Sequence, residues 1–132
     1  MFSHMMVGSN DIGRSRKFYD ALFAAIGGRP AIEDQKGRLI YPHNGSIFMV
    51  SSPIDGRPAS HANGATVGFK MSDPAQVNSW HQAGVESGGT SIEDPPGIRQ
   101  MEWGDLYLAY LRDPDGNKLC AVYRVAADTA AA

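Results

Sequence analysis

One cysteine, no apolar run long enough to cross a bilayer and almost no excess charge: the scarcities of this 132-residue chain narrow its roles first. Cys120 has no second cysteine to pair with, so an internal disulfide is excluded and a reducing cytoplasm is the expected compartment. No stretch approaches the roughly 20 apolar residues of a membrane helix, and the opening residues lack the basic-then-apolar plan of a signal peptide. No membrane partner is expected. A formal net charge of −2 offers no basic surface to a phosphate backbone, so no nucleic-acid partner is expected either. With 42% hydrophobic and 20% charged residues, the composition is that of one ordinary globular domain with a real core.

What is present is one pattern written twice. Residues 2–8 form a short apolar run fit for a strand. Asn10 or Asp11 then caps a helix whose apolar positions Ile12, Phe18, Leu22, Phe23 and Ile26 cluster on one face, and Gly27-Gly28 stops it. Strands follow near 31–34, 37–41 and 46–51, with Lys36-Gly37 and His43-Asn44-Gly45 supplying the turns. A linker rich in Pro, Gly and small residues covers about 53–63. The pattern then returns. Residues 65–71 read as a strand, and Asp73 caps a second helix with Pro74 at its first position. Val77, Trp80 and Val85 form its expected buried side, Gly88-Gly89 stops it, and strands follow near 90–93, 106–112 and 118–124. Aligning the halves sets His4 against Thr66, Tyr19 against Trp80, Gly27 against Gly88 and Gly45 against Gly116.

The expected fold is α+β: two tandem βαβββ modules, about 1–52 and 64–125, forming a curved mixed sheet around a central cleft within a single domain 1–125. The small, weakly patterned tail 126–132 is expected to be disordered. The last two strands are joined by Asp113-Pro114-Asp115-Gly116-Asn117, in which Pro114 presets φ and Gly116 can adopt the left-handed conformation that closes a tight hairpin.

That hairpin, residues 110–119, is similar to the last hairpin of the vicinal oxygen chelate superfamily, which includes glyoxalase I, bleomycin-resistance proteins and extradiol dioxygenases. Ser3-His4 on the first strand, Phe18-Tyr19 on the first helix and Val67-Gly68-Phe69 on the fifth strand resemble its other modules. In metal-using members, four strands each give one ligand: a His from the first, a Glu from the fourth, a His from the fifth and a Glu from the last. Together they leave positions on a divalent ion open for vicinal oxygens of a substrate. Carried over by resemblance, these positions fall on His4, Met49, Thr66 and Cys120. Only His4 is a family ligand. The resemblance therefore implies a degenerate site with no metal ligand set, and Ni²⁺, Zn²⁺, Mn²⁺ or Fe²⁺ is disfavoured as a cofactor. His4, Met49 and Cys120 make a soft donor set that would suit Cu(I) better.

Each candidate has a plainer reading. His4 is a candidate catalytic base or ligand-binding group, or else a pocket histidine satisfied by its neighbours. Cys120 is a candidate nucleophile only if something lowers its pKa; otherwise it is an inert core thiol. Tyr107 and Tyr110 lie three apart on one strand and hence on opposite faces, one toward the cleft and one away. The stretch 95–104 reads as a long loop that could lid the cleft, carrying Trp103 and offering Arg99 to an anionic ligand, or leaving Arg99 as a solvated charge. The expected ligand-binding set is thus His4, Met49, Thr66, Arg99, Trp103, Tyr107, Tyr110 and Cys120. The leading expectation is a protein that binds an apolar or aromatic small molecule in a metal-free cleft, because loss of two buried carboxylates favours an uncharged ligand. The alternatives are a metal-dependent lyase or isomerase like lactoylglutathione lyase, and a non-catalytic partner-binding protein. The resemblance also implies a homodimer.

Overall fold

The computed structural model describes residues 1–125; the tail 126–132 lies outside the described residues. The elements run β1 His4–Gly8, α1 Ile12–Ala24, β2 Ile32–Glu33, β3 Leu39–His43, β4 Ser46–Ser51, β5 Val67–Lys70, α2 Pro74–Glu86, β6 Thr90–Met101, β7 Gly104–Arg112 and β8 Lys118–Arg124. Two four-stranded sheets result, sheet A in the order β1-β4-β3-β2 and sheet B in the order β5-β8-β7-β6. The same order arises twice, and in each sheet the first strand pairs parallel with the last while the other neighbours are antiparallel. The tandem βαβββ duplication is present as expected, and the class is α+β.

Both helices start where the sequence caps them. Asp11 holds an extended backbone and accepts a hydrogen bond from the Arg14 N–H at 3.0 Å, and Asp73 accepts from the Gln76 N–H at 2.8 Å with Pro74 opening the helix behind it. α1 ends as Gly28 N–H donates to the Phe23 carbonyl while Gly27 takes φ +81°. α1 buries Phe18, Tyr19, Leu22 and Phe23. α2 buries Val77, Trp80 and Gly84.

Val85 corrects the expected buried side of α2, since it is exposed. The reason is steric. α1 and β7 press on the helix at Gly84, where an added Cβ would overlap the Leu111 Cδ1 and crowd the Leu22 Cδ1. The close approach fixes which face is inside, and it is not the face that puts Val85 inward.

One hydrophobic core joins both helices to one face of each sheet: Leu39, Tyr41, Phe48 and Val50 from sheet A, Ala109, Leu111, Leu119 and Ala121 from sheet B. The modules are also clamped by polar groups. The Asp113 carboxylate accepts from the Tyr19 hydroxyl, and the Asn117 side-chain amide donates to both Asp113 and the Gly8 carbonyl. Asp115 accepts from the Asn10 N–H, the Arg14 guanidinium and the Ser15 hydroxyl. The final hairpin of module two thus ties down the start of module one.

The stretch expected as a lid over 95–104 is not a loop. β6 continues to Met101 and turns into β7 through Glu102 and Trp103. The break comes instead as a bulge: Ile92 pairs with Tyr110 and Gly97 with Leu108, so residues 93–96 stand opposite Ala109 alone. Pro95 and Pro96 are tolerated because β6 is an edge strand.

Candidate functional site

Strand alternation decides which side chains are free for function. On β4, Phe48 and Val50 point to the core, so Met49 faces the other way, beside its register partners Met6 on β1 and Ile40 on β3. His4 shares that face, opposite Ile47. The open face of sheet A is therefore an apolar surface, with Met6, Ile47 and Ile32 all substantially exposed and His4 at its edge. The His4 Nδ1 lies 2.7 Å from the Ser3 hydroxyl.

Sheet B repeats the arrangement. Leu119 and Ala121 face the core, so Cys120 and Val122 face away, alongside Leu106, Leu108 and Tyr110 of β7. Gly68 of β5 pairs with Cys120, and Thr66 is exposed immediately before that strand. Three of the four family positions, His4, Met49 and Cys120, thus occupy the open faces, with Thr66 exposed just ahead of β5, and the two modules match: Met6 pairs with Met49 as Gly68 pairs with Cys120.

The face of sheet B is better sealed than that of sheet A. Leu106, Leu108 and Cys120 are buried, with Tyr110 and Val122 packed against them. Lys118 closes one end, its ammonium 4.7 Å from the centre of the Tyr110 ring and 2.6 Å from the Glu93 carboxylate. Burial is the main cause that pushes the Cys120 thiol up to about 11; the Tyr110 hydroxyl opposes it, the Glu93 carboxylate reinforces it, and Lys118 and Arg99 oppose it in turn. Burial first, and then the neighbouring Cys120 and Glu93, also raise the Tyr110 phenol. At neutral pH this is a protonated thiol, neither a nucleophile nor an anionic metal ligand.

Arg99 shares the face of Leu106, its register partner, but its guanidinium is engaged. It donates to the carbonyls of Gly97, Asp94 and Pro95 at 3.2, 2.9 and 3.1 Å, stapling the β6 bulge. Trp103 lies in the β6–β7 turn with the Arg124 guanidinium 5.1 Å from its ring centre. Tyr107 points the other way, packed on the core with its hydroxyl donating to the Asn78 side-chain Oδ1 on α2 at 2.8 Å.

The structure therefore brings Tyr110, Cys120, Arg99 and Trp103 to one side of sheet B, and His4 and Met49 to one side of sheet A. It turns Tyr107 toward α2. Sequence reasoning missed Glu93 and Lys118. Their only signal was the two-residue offset of Lys118 from Cys120; Glu93 reaches the face through a bulge at φ +58° that no periodicity announces. The buried cluster around Cys120 takes its packing partners from sheet B alone. Among the described residues, no three His, Cys, Asp or Glu side chains converge as a metal site would require. A family divalent site does not fit the residues present: one imidazole, a thioether, a hydroxyl and a protonated thiol supply no anionic donor.

With this geometry in hand, known proteins place the chain. A family model described as Glyoxalase/Bleomycin resistance protein/Dioxygenase superfamily matches residues 1–121. No curated protein matches the chain. A crystal structure of a glyoxalase/bleomycin resistance protein from Albidiferax ferrireducens T118 is 50% identical over 94% of this chain and 99% of that one, with a TM-score of 0.90. Two more distant structures share the fold. One, a glyoxalase/bleomycin resistance protein/dioxygenase family enzyme from Burkholderia phytofirmans PsJN, is 17% identical over 93% of this chain and 98% of that one, TM-score 0.71. The other, a lactoylglutathione lyase from Agrobacterium tumefaciens, is 16% identical over 93% and 92%, TM-score 0.65.

Proposed function

This chain belongs to the Glyoxalase/Bleomycin resistance protein/Dioxygenase superfamily, and on that premise we propose that it binds an apolar or aromatic small molecule without a metal ion, in a cleft that two copies of the chain complete. The observation that carries this reading is the chemistry of the four equivalent positions. His4, Met49 and Cys120 lie on the open faces of the two sheets, Thr66 is exposed immediately before β5, and none of the four is a carboxylate. Without two anions to neutralise, the surface they share with Met6, Ile47, Leu108 and Tyr110 favours an uncharged, greasy ligand.

The unequal sealing of the faces supports the dimer. Sheet A leaves an apolar surface with Met6, Ile47 and Ile32 exposed, and sheet B offers a packed apolar surface of its own. Apposing sheet A of one copy with sheet B of the other covers both and leaves a lined cleft between them. A single chain divides His4, Met49 and Cys120 between two sheets, but this dimer would set sheet A of one copy against sheet B of the other, so copper(I) titration of the dimer tests the soft-donor reading.

Thermal unfolding in the presence of EDTA, against a panel of aromatic compounds and antibiotics including bleomycin, tests the reading. A binder at 100 times its Kd stabilises by about 2.7 kcal/mol. The expected result is a ligand-dependent rise in Tm that EDTA does not alter and that Met49→Phe abolishes, with light scattering giving twice the chain mass. Turnover of methylglyoxal plus glutathione on adding Ni²⁺, Zn²⁺, Mn²⁺ or Fe²⁺ would replace the reading with a lyase. Flat melting curves throughout, with a dimer still present, would leave a partner-binding protein.

A further inference from the structure

A cavity lies away from the open faces, where the end of α1, the β3–β4 hairpin and β5 meet. Its volume is about 500 Å³, within the range of small-molecule sites. Met5, Tyr41 and Phe48 line it from the core side of sheet A, the side opposite to His4 and Met49. None of the ligand-binding residues expected from the sequence lines it.

One wall is the free edge of β5. That strand ends the order of sheet B, with β8 as its one neighbour there. The register pairs Lys70 with Val122, and the Met71 N–H donates to the Val122 carbonyl at 2.8 Å. In a parallel pair the N–H and C=O of one residue leave the strand on the same side, and successive residues alternate sides. Val67, Phe69 and Met71 therefore turn their backbone groups toward β8. Gly68 and Lys70 turn theirs outward, toward the cavity that both residues line. Among the described residues no turn, loop or cap bond reaches these outward groups.

The rest of the cavity is aromatic and carries no fixed charge. Phe23 stacks on Tyr41 with ring centres 4.6 Å apart, and Phe69 meets Phe48 edge-to-face at 5.2 Å. A flat ring there gains further contacts of the same kind. Val67 and Phe69 pack on the core, so the Lys70 side chain stands on the open face of sheet B and contributes only its backbone here. No carboxylate lines the cavity, and the Tyr41 hydroxyl is already donated to Asp20 at 2.7 Å.

We propose that this cavity binds a neutral fused-ring aromatic lactam, its rings against Phe48 and Phe69 and its amide on the outward backbone of β5. The Gly68 carbonyl accepts from the lactam N–H, and the Lys70 N–H donates to the lactam carbonyl. The two groups flank Phe69 on one edge, so the adjacent donor and acceptor of a cyclic amide answer both at once. The edge offers little more: β5 has four residues, and two of them face outward. It suits one amide better than an added strand. The site is separate from the cleft on the open sheet faces and stands whether or not that cleft binds anything.

Titration of the full chain with 2-quinolone, followed by calorimetry and amide NMR, is the test. Saturable one-to-one binding is expected. The Lys70 N–H should shift downfield and slow in hydrogen exchange, while the Phe69 N–H, held by β8, changes little. N-methyl-2-quinolone keeps the rings and the carbonyl but lacks the donor, and should bind about tenfold more weakly. Lys70→Ala should leave binding unchanged, since that side chain is on the other face. Lys70→Pro removes the outward N–H without touching a bond to β8, as an edge strand allows, and should weaken 2-quinolone about tenfold with the fold checked by Tm. Should that variant unfold, the N-methyl comparison and the Lys70 exchange rate decide alone. Met49→Phe, on the open face, should leave binding intact. Equal affinity for the two quinolones, no saturable binding, weaker binding in Lys70→Ala, a Lys70 N–H already slow to exchange in the free chain, or loss of binding in Met49→Phe would overturn the proposal. The last outcome would move the ligand to the open-face cleft, so failure here and failure of the functional reading are read from different variants.

Discussion

The Tyr19 hydroxyl donates to the Asp113 carboxylate at 2.5 Å, across 94 residues of chain and the boundary between the modules. Both groups are buried. Asp113 also accepts from the Asn117 side-chain amide and from the backbone N–H groups of Asp115 and Asn117. The hairpin that carries the family resemblance is therefore a structural clamp. Its carboxylates, Asp113 and Asp115, hold module one to module two.

Tyr19→Phe removes one donor from that buried carboxylate and should cost about 1–3 kcal/mol. Asp113→Ala should cost more, because it leaves the Tyr19, Asn117 and two backbone donors without an acceptor. Urea denaturation of both variants measures the difference.

Stability should fall as the pH rises above about 10. Burial and the nearby Asp113 carboxylate raise the Tyr19 phenol well above its ordinary 10.0, and burial with the Asp20 hydrogen bond raises Tyr41 as well. The folded chain keeps protons that the unfolded chain releases near that pH, so the unfolded state binds fewer and ΔG of unfolding decreases with pH, by about 1.4 kcal/mol per pH unit for each tyrosine. Below the ordinary value the stabilisation is complete. Denaturation curves from pH 8 to 12 should show the decline, and Tyr19→Phe should make it shallower.

Cys120 should resist alkylation at neutral pH. Raising the thiol from its ordinary 9.0 to about 11 cuts the thiolate fraction about 100-fold, and burial slows attack further. Iodoacetamide at pH 8 should label the native chain at least two orders of magnitude more slowly than the urea-unfolded chain. Rapid labelling of the native chain would restore the nucleophile reading.

The lost metal site should be recoverable. Met49→Glu, Thr66→His and Cys120→Glu together return the family donors to positions that already face outward, beside the His4 that is present. The triple variant should take up Zn²⁺ or Ni²⁺ stoichiometrically by calorimetry, while the natural chain should not. Uptake by the natural chain would contradict the metal-free reading.

Two glycines in the helices should respond oppositely. Gly84→Ala forces a Cβ into Leu111 at the α1–α2–β7 crossing and should cost about 1–3 kcal/mol. Gly13→Ala, whose Cβ meets nothing closer than the Asp11 carboxylate at 3.6 Å, should stabilise α1 by up to about 1 kcal/mol. Thermal unfolding distinguishes the two.

β4 and β8 are legible to the residue, because each is a short continuous apolar run rich in strand formers and bounded by turn residues. The continuation of β6 was not. Pro95-Pro96-Gly97 reads as a breaker, yet an edge strand can absorb it as a bulge, and the Arg99 guanidinium that holds the bulge acts on carbonyls no sequence pattern reveals. Val85 failed for a similar reason: helical periodicity knows nothing of the neighbouring helix that needs Gly84 against it.

The sequence by itself determined the duplicated modules, the two helix starts and the parity of His4, Met49 and Cys120, since all of these follow from local capping, turn chemistry and the two-residue period of a strand. Tertiary structure alone decided that Tyr107 turns to α2, that Arg99 is engaged by the β6 bulge, that Glu93 and Lys118 flank Cys120, and that a ring-lined cavity opens beside β5. Those outcomes depend on contacts between segments far apart in the chain, where burial and packing, with no local signature, set which groups meet.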